Sequence, residues 1–254
     1  MKVAPGFLLA ALLAGSAAAS AAPACDPARF RVALDIGHSR ASPGSTSARG
    51  VPEFEYNLRL AQQVSAALSG AGFTAQTLIG ATGAAIGLTD RTALAKQAGA
   101  MLFLSLHHDS MQPQYLQAWE VDGKPQRYST RFSGYSVFTS AFNSQAAASL
   151  AFAGLLGEGM RLQGMTPSLH HAEPIAGENR PLLDARTGVY RFDQLAVLRT
   201  AAMPAVLLEA AIIVNPDDEL RVRSGEVGRK VSAAVVGAVR EFCGKVQPVV
   251  RLPG

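Results

Sequence analysis

Met101-Leu102-Phe103-Leu104-Ser105-Leu106-His107 is an almost unbroken apolar run that ends on an imidazole. Its length and composition predict a buried strand of a sheet covered on both faces. Two other runs read alike: residues 30–36 lead into Gly37-His38, and residues 205–209 carry Glu209. Residues 73–78 and 134–138 add two shorter strands, the latter pairing on this reading with the segment around Trp119. Helices fall between them. Leu58, Ala61, Val64, Ala67 and Leu68 recur at helical spacing until Gly70 and Gly72. Thr89-Asp90 offers an N-cap for a helix reaching Ala98, and residues 146–162 and 227–242 read as amphipathic helices. Residues 163–191, polar and punctuated by Pro and Gly, read as a long surface loop of the functional kind. Strands alternating with helices predict an α/β domain with a largely parallel or mixed sheet of about five to six strands, flanked by helices on both faces.

The start of the chain reads as a processing signal over residues 1–22. Lys2 gives the positive start, residues 7–14 the apolar stretch and Ala19-Ser20-Ala21-Ala22 the small-residue cleavage region. The apolar stretch is shorter than the roughly 20 residues a membrane span needs, and no later segment qualifies. One domain is expected over residues 26–244, with a tail at 245–254. The two cysteines, Cys25 and Cys243, read as a disulfide between the domain's two ends in an exported protein. Closing so long a loop stabilises by roughly 4–5 kcal/mol in the chain-entropy model. Lipidation of Cys25 is the competing reading, and Ala22-Pro23-Ala24 makes a poor lipidation box. The formal net charge of +4 falls to +3 once Lys2 is removed with the signal. That mild basicity suits an anionic polymer such as cell wall. It lacks the Lys/Arg stripe with interleaved aromatics expected of a nucleic-acid binder.

Four polar residues stand out against the apolar background: His38, His107 and Glu209 at or near strand ends, and Glu53 in the loop between two of the predicted elements. Ligands of open α/β sheets gather at the carboxyl ends of strands. Buried imidazoles and carboxylates are costly unless paired. A zinc ion held by two His and one carboxylate, with the second carboxylate left as general base, satisfies all four. The bland readings are a hydrogen-bonded core histidine and a Glu209 salt-bridged to Arg91 or Arg199. Asp35 reads either as a partner orienting a ligand imidazole or as an ordinary strand-end residue.

The same residues carry a family resemblance. Asp35-Ile36-Gly37-His38, Gly50-Val51-Pro52-Glu53-Phe54-Glu55-Tyr56-Asn57-Leu58, Ser105-Leu106-His107 and Pro204-Ala205-Val206-Leu207-Leu208-Glu209, with Asn215 beyond, follow one another in order. Together they resemble the zinc-dependent N-acetylmuramoyl-L-alanine amidases of bacterial cell walls, the amidase-3 group, over about residues 30–242. The resemblance implies Zn2+ held by His38, Glu53 and His107, with Glu209 as the catalytic carboxylate. It also implies hydrolysis of the amide between the lactyl group of N-acetylmuramic acid and L-alanine of the stem peptide. Ser39-Arg40 and His108-Asp109 depart from the family pattern, and they leave His108 and Glu55 as alternative ligands.

The rival functions are a zinc peptidase cutting the stem peptide and a pseudoenzyme that binds cell wall without cleaving it. A serine hydrolase is excluded, since no Gly-x-Ser-x-Gly elbow is present. In the loop before the last strand, His170-His171, Glu173, Glu178 and Arg180 form a polar group. On one reading it frames a substrate groove, with Arg180 or His171 meeting stem-peptide carboxylates; on the other it is a solvated loop. The expected partners are peptidoglycan or muropeptide and, by resemblance, a protein activator. The expected state is a periplasmic or secreted monomer.

Overall fold

The computed structural model describes Met1 and residues 25–245. The signal segment expected over 1–22 lies, Met1 apart, outside the described residues, as does the tail beyond Lys245. Along the chain run β1 (Val32–Ile36), α1 (Glu53–Gly70), β2 (Gln76–Ile79), α2 (Leu88–Gln97) and β3 (Leu102–Asp109). Next come β4 (Gln117–Val121), β5 (Lys124–Tyr128), β6 (Ser136–Thr139), α3 (Ala146–Leu162), β7 (Leu182–Asp184) and β8 (Val189–Arg191). The chain closes with α4 (Ala196–Arg199), β9 (Ala205–Ile212), α5 (Pro216–Arg223) and α6 (Glu226–Lys245).

Seven strands form one mixed sheet in the order β2-β1-β3-β9-β6-β8-β7. The β2, β1, β3 and β9 strands are mutually parallel, while β6 runs antiparallel to β9 and β7 antiparallel to β8. The three apolar runs are its centre, which explains their composition: each contributes side chains to both faces. Val32, Leu34, Leu102, Leu104, Val206 and Leu208 join the large core under α1, α3 and α6. Ala33, Phe103, Ala205 and Leu207 join a smaller core with Ala95 of α2 and Val197 and Leu198 of α4. Cys25 and Cys243 are bonded, tying the chain ahead of β1 to α6 across 218 residues of sequence.

The structure corrects several expectations. The sheet has seven strands, not five to six, because residues 163–191 are not a plain loop but contain β7 and β8. Strands of three residues are too short to show alternation. The Trp119 segment pairs with β5, not β6. Asp122-Gly123, both at positive φ (50° and 71°), closes that hairpin, as Asp-Gly does in the tight turns that match strand twist. Helix α2 starts at Leu88 with Gly87 as N-cap, so Thr89-Asp90 lies inside its first turn. There Asp90 still favours the helix through the dipole. Helix α1 begins at Glu53, ahead of the apolar repeat, so Glu53 is a helix residue rather than a loop residue.

Candidate active site

Strands β3 and β9 place His107 level with Glu209. Parallel neighbours at one level project to the same face, about 5 Å apart. Strand β1 lies on the other side of β3 with Ile36 level with Leu106. The next residue, Gly37, donates its N–H to the Leu106 carbonyl at 3.0 Å. A Cβ at Gly37 would collide with the His107 ring, so glycine is what lets the imidazole lie over the end of β1. His38 follows in the left-handed region at φ 69°. A residue with a Cβ pays about 1–2 kcal/mol there, so the surroundings must hold it.

Arg91 does so. Its Nη1 donates to Asp35 Oδ1 and to the Ile36 carbonyl, and its Nη2 to the His38 carbonyl, each at 2.6 Å. Asp35 also accepts from Ser105 Oγ at 2.7 Å. Asp35 is therefore a partner of Arg91 and Ser105 and orients no imidazole directly. Arg91 thus forms its ion pair with Asp35 and not with Glu209.

Glu53, buried in the first turn of α1, reaches between the two histidines. His38 Nε2 lies 3.2 Å from its Oε2 and His107 Nδ1 lies 3.1 Å from its Oε1. Asn57, one turn on, donates to Glu53 Oε1 at 3.0 Å, and Ser45 donates to Oε2 through both its N–H (3.0 Å) and its hydroxyl (3.1 Å). Gly44 at φ 79° passes so close that a Cβ there would meet the Glu53 carboxylate and sit 2.6 Å from the His38 ring. Burial alone would raise the Glu53 carboxyl, but hydrogen bonds and charge attraction from His107 and His38 outweigh it and hold it well below its usual range.

Glu209 is the opposite case. Burial, reinforced by the nearby charges of Asp109 and Glu53, pushes its carboxyl well above the usual carboxylate range. Its Oε2 is buried with no hydrogen-bond partner, and neither Arg91 nor Arg199 reaches it. Two neighbouring carboxylates with oppositely shifted pKa values mark a division of labour.

His108 turns to the other face of β3. There its Nδ1 meets Asn57 Oδ1 at 2.8 Å and its ring packs near Tyr56. Burial drives it down to about 4. Among the described residues, the three donor atoms that converge at this place belong to His38, Glu53 and His107, all within 4.8 Å of one another, and neither His108 nor Glu55 takes part. Asn57 was visible in the family motif, whereas Ser45 gave no sequence signal at all.

His38, His107 and Glu209 open onto a cleft of about 310 Å³ that Asp109, His171, Glu178, Arg180 and Phe192 also line. A larger depression of about 670 Å³ lies between α1 and α6, but its only titratable lining is Arg229 and Arg240. The smaller cleft therefore holds the chemistry. Arg180 lies over the Phe192 ring, 4.0 Å from its centroid, and donates to the Gly177 carbonyl at 2.8 Å. His171 commits Nδ1 to Glu178 (2.8 Å) and Nε2 to Asp109 (2.9 Å), which leaves no free ring nitrogen for a substrate. Burial depresses this imidazole, and Asp109 and Glu178 more than reverse that, lifting it to about 9. His170-His171 thus belongs to a buried cluster, not to a solvated loop. No helix among the described residues is long and apolar enough to cross a membrane.

The sequence profile described as N-acetylmuramoyl-L-alanine amidase matches residues 32–241. No curated protein sequence matches. Among solved structures, the N-acetylmuramyl-L-alanine amidase Ami1 from Mycobacterium smegmatis aligns over 87% of this chain and 100% of its own, with TM-score 0.67 and 22% identity. The catalytic domain of CwlV, an N-acetylmuramoyl-L-alanine amidase from Bacillus (Paenibacillus) polymyxa, aligns over 84% of this chain and 97% of its own, with TM-score 0.62 and 21% identity. The CwlD amidase from Clostridioides difficile, solved in complex with the GerS lipoprotein, covers 84% of this chain and 98% of its own at TM-score 0.61 and 14% identity. At such identities the structural likeness speaks for the fold. The family rests on the profile, which spans nearly the whole described domain: this chain belongs to the N-acetylmuramoyl-L-alanine amidase family.

Proposed function

We propose that this chain is a zinc-dependent amidase that cleaves the bond between the lactyl carbonyl of N-acetylmuramic acid and the amine of L-alanine, with Glu209 as its general base. The carrying observation is the contrast between the two acids: Glu53 drawn down into His38 and His107, Glu209 raised and unpartnered beside them. Two imidazole nitrogens and a carboxylate form a donor set suited to zinc, and the space that Gly37 and Gly44 leave clear fits the group between them. His38, Glu53 and His107 would hold it. When bound, zinc supplies Lewis acidity, acidifying a water and polarising the scissile carbonyl.

Glu209 takes the proton of the attacking water and returns it to the leaving amine as the C–N bond breaks, giving a lactyl carboxylic acid and a free L-Ala amine. A raised carboxyl suits both halves of that exchange, since it holds a proton more readily than an ordinary carboxylate does and can hand it on to the amine. Asn57 and Ser45 fix the Glu53 carboxylate, and Arg91 fixes the backbone that presents His38. All of these groups come from one chain, in keeping with action as a monomer. A cell-wall substrate and the Cys25–Cys243 bond support a periplasmic or secreted location. Chelation should abolish amide hydrolysis and added zinc restore it, with metal content followed by elemental analysis. Activity that survives complete removal of zinc would sink this reading.

Arg180, 3.6 Å from Glu178, is the arginine on the cleft wall, and we assign it to a stem-peptide carboxylate. Arg180→Ala should raise KM about tenfold with kcat little changed, the signature of lost uniform binding. Steady-state kinetics on a muropeptide check this, and an unchanged KM would return Arg180 to a purely structural role over Phe192.

A further inference from the structure

A second convergence of donor atoms lies beyond the site just described. Asp109, His170 and His171 each offer one ligand atom, and these atoms too lie within 4.8 Å of one another. His170 Nε2 is 3.3 Å and His171 Nε2 2.9 Å from the same atom, Asp109 Oδ2. These separations match those around Glu53, at 3.2 and 3.1 Å. His170 is 2% exposed, and its Nε2 makes no hydrogen bond despite being aimed at that carboxylate. A buried ring nitrogen without a partner costs about 1–3 kcal/mol, so its retention asks for an explanation.

The opposite edges of both rings are held. His170 Nδ1 pairs with Ser168 Oγ at 2.8 Å, and His171 Nδ1 pairs with Glu178 Oε2 at 2.8 Å. Glu178 is itself fixed by Gln112 Nε2 at 2.7 Å. An imidazole that donates Nδ1–H to a hydroxyl or carboxylate and turns Nε2 toward a shared carboxylate has the outer-shell arrangement of a metal ligand. The ring centroids are only 3.9 Å apart. A cation bound here takes the place of the proton that His171 Nε2 shares with Asp109.

We propose that Asp109, His170 and His171 bind a second divalent cation of the zinc class. Two nitrogens and one carboxylate oxygen select zinc or its neighbours over magnesium or calcium, which take oxygen ligands. The ligands join the carboxyl end of β3 to the turn at 170–172, so the cation clips the 163–191 segment onto the sheet. It sits in the wall of the cleft that Glu209 lines. This site stands independently of the reading given to His38, Glu53 and His107.

The test is a zinc count on full-length protein, stripped by chelation, reloaded and dialysed, with cobalt absorption titration as a second readout. The wild type, His38→Asn (Asn being tolerant of the left-handed backbone there) and His170→Gln are compared, with circular dichroism reporting folding. Two equivalents in the wild type and one in each variant support the proposal. One equivalent in the wild type, lost in His38→Asn and kept in His170→Gln, overturns it and leaves the first site standing. One equivalent lost in His170→Gln and kept in His38→Asn supports it and removes the first site instead. No bound zinc in the wild type overturns both. If His170→Gln does not fold, the His38→Asn count decides: one equivalent supports the second site and none overturns it. A bound second cation should also raise the Tm of His38→Asn as free zinc rises, because a ligand that binds only the folded state stabilises it.

Discussion

Glu209→Gln is expected to lower kcat by about 10²–10⁴-fold, the range over which a positioned general base contributes, while leaving zinc content unchanged. The substitution keeps the shape of the side chain and removes the group that moves the proton. Glu209 offers no donor to the His38, Glu53 and His107 cluster, so metal retention should not suffer. Stability should not suffer either. A carboxyl raised by burial contributes stability only while it is protonated. That contribution is present below its unfolded pKa of about 4.3 and is lost as pH rises toward the raised folded value. Gln has no such loss, so in zinc-free protein at pH 7 its Tm should equal or exceed that of the parent. Glu53→Gln should behave otherwise and lose zinc and activity together. Elemental analysis, calorimetry and single-turnover kinetics on the two variants separate base from ligand. Full activity in Glu209→Gln would refute the assignment.

Arg91→Met should be the most damaging change away from the cleft. Arg91 is 3% exposed and its departure strands the buried Asp35 carboxylate, which would keep only Ser105 Oγ as a partner. Breaking a buried pair from one side costs about 3–5 kcal/mol. For a domain of this size each kcal/mol lowers Tm by roughly 2–4 °C, so a fall of roughly 6–20 °C is expected. The loss also frees the His38 carbonyl, which Arg91 holds at 2.6 Å, so zinc affinity should drop with stability. Arg91→Lys should not rescue the protein, because one ammonium cannot reproduce a fork that spans Asp35, Ile36 and His38. Adding Asp35→Asn to Arg91→Met should recover part of the Tm but not the zinc affinity. Equal Tm values for Arg91→Met and the parent would show that the pair carries no such burden.

The central sheet was legible because β1, β3 and β9 are covered on both faces and therefore read as apolar runs. The candidate site residues His38, His107 and Glu209 stood out for the same reason. A histidine or glutamate at the end of such a run has no packing role that an apolar residue would not fill better. What escaped is local. The three-residue strands β7 and β8 carry too little pattern, and the start of α1 at Glu53 precedes its apolar repeat. The Asp122-Gly123 turn signalled a hairpin that an assumed pairing of Trp119 with β6 obscured. Residues acting through tertiary contact left no trace either. Ser45 meets Glu53 across a loop, and the position of Asp35 beside Arg91 depends on α2 folding over the end of β1. His170-His171 stood out in the sequence as an oddity, but its approach to Asp109 is set by how the 163–191 segment lies against β3. No spacing along the chain encodes that.

The mass of the products released from a defined muramoyl-peptide by the zinc-loaded protein tests the amidase assignment most directly. The expected products are an intact stem peptide with a free L-Ala amine and a sugar whose lactyl group ends in a carboxylic acid. A sugar that still carries L-Ala beside a shortened peptide would contradict the assignment, as would an uncleaved substrate in the presence of zinc-loaded, folded protein.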